Sequence, residues 1–361
     1  MKVPTLSALL SERERKMIRF ECDYAEGMHP RILERLVETN LEQTVGYSED
    51  EYCKQAREKI KKACDAPEAD VHFLVGGTQT NYVVIRSILR PYQGVISAVT
   101  GHINVHETGA VEATGHKVLA LPSKDGKITA SQVRAYYDAH WNDADHEHIV
   151  QPGMVYISHP TENGTIYSKS ELQELYATCK ELGLPLFMDG ARMGYGLMSE
   201  KSDMTLADIA ANTDVFYIGG TKVGALFGEA VVITKSALKK DFRYCMKQSG
   251  AMLAKGWLLG IQFETLFEGN LYLEISKHAI DLAEKLRKAF ADAGYPFLVQ
   301  NRTNQIFPIF PDETLKRLEK DYGFCYQERV DAQHSAVRFC TSWGTKEENV
   351  DRLIHDLKEG S

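Results

Sequence analysis

The sequence predicts an α/β protein, with a mainly parallel, doubly wound sheet and a smaller α+β domain at the C-terminus. Three observations predict it. Apolar runs of strand length alternate with stretches of helical periodicity between residues 71 and 233. Two of these runs, Pro185–Met188 and Val215–Ile218, stop at Asp189 and at Gly219-Gly220-Thr221-Lys222, and open α/β sheets place their ligands at such strand ends. After Ile233 the alternation stops, and long helical stretches precede a few short strands. The large domain is expected over 22–248 and the small one over 249–361, joined by residues 1–21.

Taken in order, Ser11 is a helix-cap candidate with Glu14 as its capping-box partner. Phe20–Gly27 reads as a strand-like start and a turn. Pro30 suits the first turn of a helix carrying Ile32, Leu33, Leu36 and Val37, and Tyr47–Asp50 caps a second helix in which Tyr52, Ala56, Ile60 and Ala63 recur. Val71–Val75 is a strand opening into Gly76-Gly77-Thr78-Gln79-Thr80-Asn81 and an apolar helix from Tyr82 to Leu89. A glycine-rich turn feeding a helix N-terminus can cradle a phosphate, because free N–H groups and the helix dipole point at the anion. Its spacing fits neither a dinucleotide nor a nucleoside triphosphate, which leaves a single phosphate monoester or a tight turn with a threonine cap.

The strand Val95–Val99 ends at Gly101-His102, where an imidazole one strand beyond the phosphate turn can stack on a flat cofactor. Lys117–Leu121 is a strand, Thr129 or Ser131 caps the next helix, and Met154–Ser158 is a strand ending in His159-Pro160-Thr161-Glu162. A helix from Ser170 to Leu182 leads into the Asp189 strand. Farther on, Gly250–Gly269 reads as one long apolar helical stretch and Asn270–Ala293 as an amphipathic helix. The tail offers strands at Phe297–Val299, Gln305–Phe310, Phe324–Tyr326 and Val337–Cys340, with a helix from Glu313.

An acid and a lysine at neighbouring strand ends are what a pyridoxal phosphate enzyme needs. A lysine amine holds that cofactor as a Schiff base, and a carboxylate against the pyridinium nitrogen keeps the ring protonated and able to accept electrons. Lys222 and Asp189 are the candidates.

Composition narrows the partners. A net charge of −8 without a basic run gives no reason to expect nucleic acid or an anionic membrane surface, and no apolar run approaches the roughly 20 residues of a membrane span. Seven cysteines without CxxC spacing argue for reduced thiols and a cytoplasmic setting, against a disulfide framework or a zinc site. The histidines of the DADHEHIV run read as a solvated loop, and no metal site is expected.

The assembled pieces resemble the threonine aldolase / β-eliminating lyase family of pyridoxal phosphate enzymes, of fold type I. The resemblance rests on Gly27-Met28-His29-Pro30, Gly77-Thr78 with Asn81, Gly101-His102-Ile103 with Glu107 and Gly109, Met188-Asp189-Gly190-Ala191-Arg192, Thr221-Lys222, and Arg338-Phe339 before Thr341-Ser342-Trp343. It implies that Lys222 holds the cofactor, Asp189 pairs with the ring nitrogen, His102 stacks on the ring, and Gly77 and Thr78 bind the phosphate. It also implies that Arg192 and Arg338 hold the substrate carboxylate. Cys22 stands where the family commonly has a substrate-contacting serine, Thr221 replaces a serine and keeps its hydroxyl, and His106 lies where a tyrosine is common. Lys247 stands where an arginine reaches a neighbouring subunit's cofactor phosphate. The implied activity is cleavage of threonine or allo-threonine to glycine and an aldehyde in a homodimer or homotetramer, with His102, Glu107 or a water between them as base. β-Elimination and transamination on the same scaffold are alternatives, as is a non-catalytic pyridoxal-phosphate-binding regulator. A nicotinamide-dependent dehydrogenase is disfavoured by the glycine spacing.

Overall fold

The computed structural model describes residues 17–359, so Ser11 and Glu14 lie outside the described residues. A seven-stranded sheet forms the large domain: β1 (Asp70–Leu74), β2 (Gln93–Ala98), β3 (Lys117–Leu121), β4 (Gln151–Ser158), β5 (Leu186–Asp189), β6 (Val215–Gly219) and β7 (Glu229–Ile233). Their order across the sheet is β1-β7-β6-β5-β4-β2-β3, and only β7 runs antiparallel to its neighbours. The strands are continuous apolar runs because helices cover both faces. Alternate residues serve the two cores: Ile157, Met188, Phe216 and Ile218 point into one, Tyr156, Phe187, Val215 and Tyr217 into the other.

Local chemistry starts and stops the helices much as the sequence suggests. Helix α1 (Pro30–Thr39) has Pro30 in its first turn, and α2 (Glu51–Ala63) is capped by Asp50, whose carboxylate accepts from the Cys53 N–H. Helix α3 (Gly77–Ile88) begins earlier than the expected Tyr82, so the glycine turn is itself the first helical turn, with Gly76 as its cap. The short α4 (His102–Val105) follows β2 directly. Thr129 and Ser168 each close a full capping box on the two helices flanking β4.

Three expected elements differ. The N-terminal strand is Ile18–Arg19, paired with Tyr322–Gly323, rather than a strand starting at Phe20. The apolar stretch Gly250–Gly269 contains a helix only over α5 (Trp257–Leu266), because Gly256 is wedged against the Ser48 backbone and Gly250 adopts a left-handed φ of 69°. Phe297–Val299 makes only an isolated bridge, from Phe297 to Pro308.

Helix α5 packs on α1 and α2, with Leu259, Phe263 and Leu266 in the core on one face of the seven-stranded sheet. The long α6 (Leu271–Asp292) passes from that core into the small one, where Leu282, Leu286 and Phe290 meet Phe20 and a small antiparallel sheet built on β8 (Cys325–Arg329) and β9 (His334–Cys340).

The α5–α2 contact has no spare room. A Cβ on Gly260 would lie 2.5 Å from the Cys53 backbone nitrogen, which no side-chain rotation relieves. Gly260→Ala should therefore lower stability by about 1–3 kcal/mol through overpacking, read as a fall in the urea midpoint without a change in slope.

Candidate active site

The carboxyl edge of the sheet gathers groups from separate elements. Asp189 ends β5 in register with Ser158 at the end of β4, and Lys222 follows just beyond the end of β6. Asp189 is buried, where an ionised carboxylate persists only if donors surround it. Its Oδ1 accepts from the Tyr217 hydroxyl at 2.6 Å and the Ala191 N–H at 2.9 Å. Oδ2 accepts from the Tyr156 hydroxyl at 2.6 Å and Asn81 Nδ2 at 3.0 Å. Burial by itself pushes this carboxyl up, but the charge of His102 and the two tyrosine hydroxyls together hold it below the ordinary carboxylate range.

Asn81 extends the network. It also donates to Glu107 Oε1 at 2.8 Å, and that oxygen accepts from His102 Nδ1 at 2.7 Å. Burial pulls the His102 pKa down, yet the Glu107 hydrogen bond and the Asp189 charge outweigh it and leave the imidazole above its ordinary value. The His106 ring lies 5.5 Å from that of His102, and burial followed by the His102 charge lowers its pKa.

A small inner cavity is lined by Gly77, His102, Glu162, Asp189 and Lys222, among others. It adjoins a cleft of about 550 Å³ whose walls include His106, Arg192, Tyr326 and Arg338. Burial, then the charge of Arg192, lowers the Lys222 pKa and favours the free amine. A Cβ on Gly77 would come within 3.2 Å of the Tyr217 hydroxyl, so the absence of a side chain keeps the cavity open beside the α3 N-terminus.

The two expected carboxylate-binding arginines differ. Arg192 turns Nε and Nη2 onto Asp23, at 2.6 and 3.0 Å, and Asn304 adds a further bond to the same acid at 2.8 Å. Two of its donors are thus held by an internal acid, while the residue still borders both the inner cavity and the outer cleft. Arg338 meets only neutral groups, with Nη1 donating to Gln305 Oε1 at 3.3 Å and Nη2 to the Glu21 carbonyl at 3.2 Å, while its Nε is buried without a partner.

Other expected residues lie apart. The Thr221 hydroxyl donates to Glu229 Oε1 at 2.8 Å and accepts from the Gly228 N–H at 3.0 Å, so it faces the sheet. Lys247 is exposed, its ammonium 4.4 Å over the Tyr47 ring, and does not line the cleft. Thr78 is exposed at the first turn of α3. Cys22 lies beside Asp23 without lining the cleft, and burial pushes its thiol up.

Sequence reasoning missed Asp23, Glu162, Glu229 and the two tyrosines. Tyr156 and Tyr217 read simply as strand residues. Glu229, an acid inside the apolar run Phe227–Ile233, was the one legible signal.

Comparison with known proteins places this arrangement. The β-eliminating lyase family matches residues 23–312. A threonine aldolase structure from Leishmania major superposes with a TM-score of 0.92 at 44% identity, covering 95% of this chain and 99% of that one. The low-specificity L-threonine aldolase of a Pseudomonas species is 29% identical over 343 residues, 94% of this chain and 97% of that protein. An aspartate aminotransferase variant from Thermus thermophilus shares the fold alone, at 13% identity and a TM-score of 0.68 over 99% of this chain and 97% of that one.

Two predictions follow from the buried charges. Asp23→Asn should cost about 3–5 kcal/mol in urea unfolding, because it strands the Arg192 guanidinium without its counter-charge, whereas Asp281→Asn in the exposed Lys277–Asp281 pair should cost about 0.5 kcal/mol or less. Burial also pushes the Glu229 carboxyl up to about 8. The folded protein then binds a proton that the unfolded chain releases near its ordinary pKa of about 4.3, so this group's contribution is complete below that pH and is lost as the pH rises toward 8. The melting temperature should fall across that window in the wild type and fall less in Glu229→Gln.

Proposed function

Because this chain belongs to the threonine aldolase / β-eliminating lyase family, we propose that it is a pyridoxal-phosphate-dependent lyase cleaving threonine-like β-hydroxy-α-amino acids to glycine and an aldehyde. The observation that carries the reading is the shared inner cavity, in which the Lys222 amine, the Asp189 carboxylate and the glycine turn at Gly77 converge beneath a cleft bearing Arg338. These residues fit the cofactor: the donors around Asp189 keep an ionised acid available for a protonated ring nitrogen, and the α3 N-terminus offers N–H groups to a phosphate. When bound, pyridoxal phosphate supplies an electron sink for charge developing at the substrate's Cα.

The chain's own groups have distinct parts. Lys222, its amine favoured by burial, is the attachment point. His102 is held by Glu107 with Nδ1 as donor, which sets the plane of its ring against the cavity. Arg338, which meets only neutral groups, supplies the guanidinium charge for the substrate carboxylate, and Arg192, paired with Asp23, lends positive charge and depresses the Lys222 pKa. Glu107 shares one oxygen between Asn81 and His102 and does not line the cavity, so it orients the imidazole rather than meeting substrate. Thr78 and Thr221 would serve the phosphate only through backbone groups.

The exposed apolar side chains of Leu33, Val37, Leu41 and Val45 support a homo-oligomer, the setting in which Lys247 would serve a neighbouring site. The free cysteines support a reducing, cytoplasmic compartment. No helix among the described residues is long and apolar enough to cross a membrane.

Purified protein supplied with pyridoxal phosphate should absorb in the visible and release acetaldehyde and glycine from threonine. Lys222→Ala should lose both the absorbance and the turnover. Formation of a keto acid in place of acetaldehyde would instead indicate elimination or transamination. Arg338→Ala should raise KM for threonine by roughly 10- to 100-fold, from the ~1.5–3 kcal/mol of a charged hydrogen-bonded contact.

A further inference from the structure

We infer that Glu162 is a catalytic residue of this site, its free carboxylate oxygen accepting the proton of the substrate's β-hydroxyl. This role rests on the aldol-cleavage reading and assigns the base that the reaction needs. Among the acids around His102, Glu162 is the one besides Asp189 that borders the inner cavity, and it is the one that borders the outer cleft as well. Its two oxygens have different environments. Oε1 accepts from the His102 backbone N–H at 2.9 Å and from Ser158 Oγ at 2.7 Å, while Oε2 is buried and has no hydrogen-bond partner.

A buried carboxylate oxygen without a donor is costly unless a ligand completes it. The hydroxyl of a β-hydroxy amino acid is such a donor. The acid is also fixed in place: the helix α4 that carries His102 has no side-chain cap of its own, and Glu162 accepts the first N–H of that helix. Its facing titratable groups are His102, Asp189, Tyr156 and Tyr167, with Lys222 and Arg192 bordering the same cavity. Desolvation and the Asp189 charge favour the protonated acid and the Ser158 bond opposes it, so the group is biased toward taking up a proton.

The proton count closes. The β O–H proton moves to Glu162 Oε2, the oxygen's electron pair completes the aldehyde C=O, and the Cα–Cβ pair remains on Cα. Return of one proton to Cα gives glycine, so no oxidant, reductant or further co-reactant is consumed.

Glu162→Gln tests this in the cofactor-loaded enzyme. The amide keeps an acceptor for His102 and Ser158 but cannot take a proton. Threonine cleavage should fall about 100- to 1,000-fold in kcat, the usual reach of a general base, with KM within threefold of wild type. Solvent exchange of the α-hydrogen of glycine, which involves no β-hydroxyl, should stay within about threefold. Cleavage by the variant within threefold of wild type overturns the role, as does an equal loss of cleavage and glycine exchange, which would mark Glu162 as only a support for His102. If the glutamine variant does not fold, Glu162→Asp, which keeps the charge but withdraws it, should lose at least tenfold in cleavage and retain exchange; cleavage within threefold overturns the role. A wild-type enzyme that exchanges glycine but cleaves no β-hydroxy amino acid overturns the functional reading itself.

Discussion

The site depends on keeping one carboxylate ionised inside the protein. Asp189 sits at the end of a central strand with helices on both faces, where an unpaired charge would cost several kcal/mol. Its compensation comes from four donors on separate segments: Tyr156 in β4, Tyr217 in β6, Asn81 in α3 and the Ala191 N–H. Each donor must arrive at a fixed angle, so satisfying this one acid sets the relative positions of three strands and a helix. The same Asn81 continues to Glu107 and His102, and the orientation of the imidazole is thereby tied to the same charge.

A second buried charge joins the two domains. Asp23, fully buried just after the N-terminal strand, takes two bonds from Arg192 of the large domain and one from Asn304 of the small domain. This pairing ties the segment around Asn304 to Arg192, and Arg338 on β9 borders the same cleft as Arg192. The electrostatic consequences run in one direction. Arg192 is neutralised enough to be buried, yet close enough to Lys222 to disfavour the ammonium, while Arg338 meets only neutral partners.

The relatives illustrate how little of this belongs to the fold as such. An aminotransferase superposes over almost the whole chain at 13% identity, so the scaffold carries several chemistries and the reaction must be argued from the site. What separates aldol cleavage from its alternatives is the handling of the β-hydroxyl. That is where Glu162 differs from Glu107: each has one bound oxygen and one buried oxygen without a partner, but only Glu162 borders the cavity and the cleft.

The sequence by itself determined the alternation of strands and helices, the strand ends at Asp189 and before Lys222, the glycine turn at Gly76-Gly77 and the placement of His102. These follow from local periodicity and from the backbone demands of turns and caps, which neighbouring residues settle among themselves. Only the tertiary structure decided which charges meet. Asp23 lies 169 residues from Arg192, Glu229 draws the Thr221 hydroxyl inward, and Gly256 meeting Ser48 shortens a helix that the apolar pattern made look longer. Partner choice for a buried polar group depends on segments brought together by packing, because desolvation makes every such group bind whatever donor or acceptor the fold delivers to it. No spacing along the chain records that delivery, and so the acid at position 162 stood only as part of the segment ending a strand until its neighbours were in place.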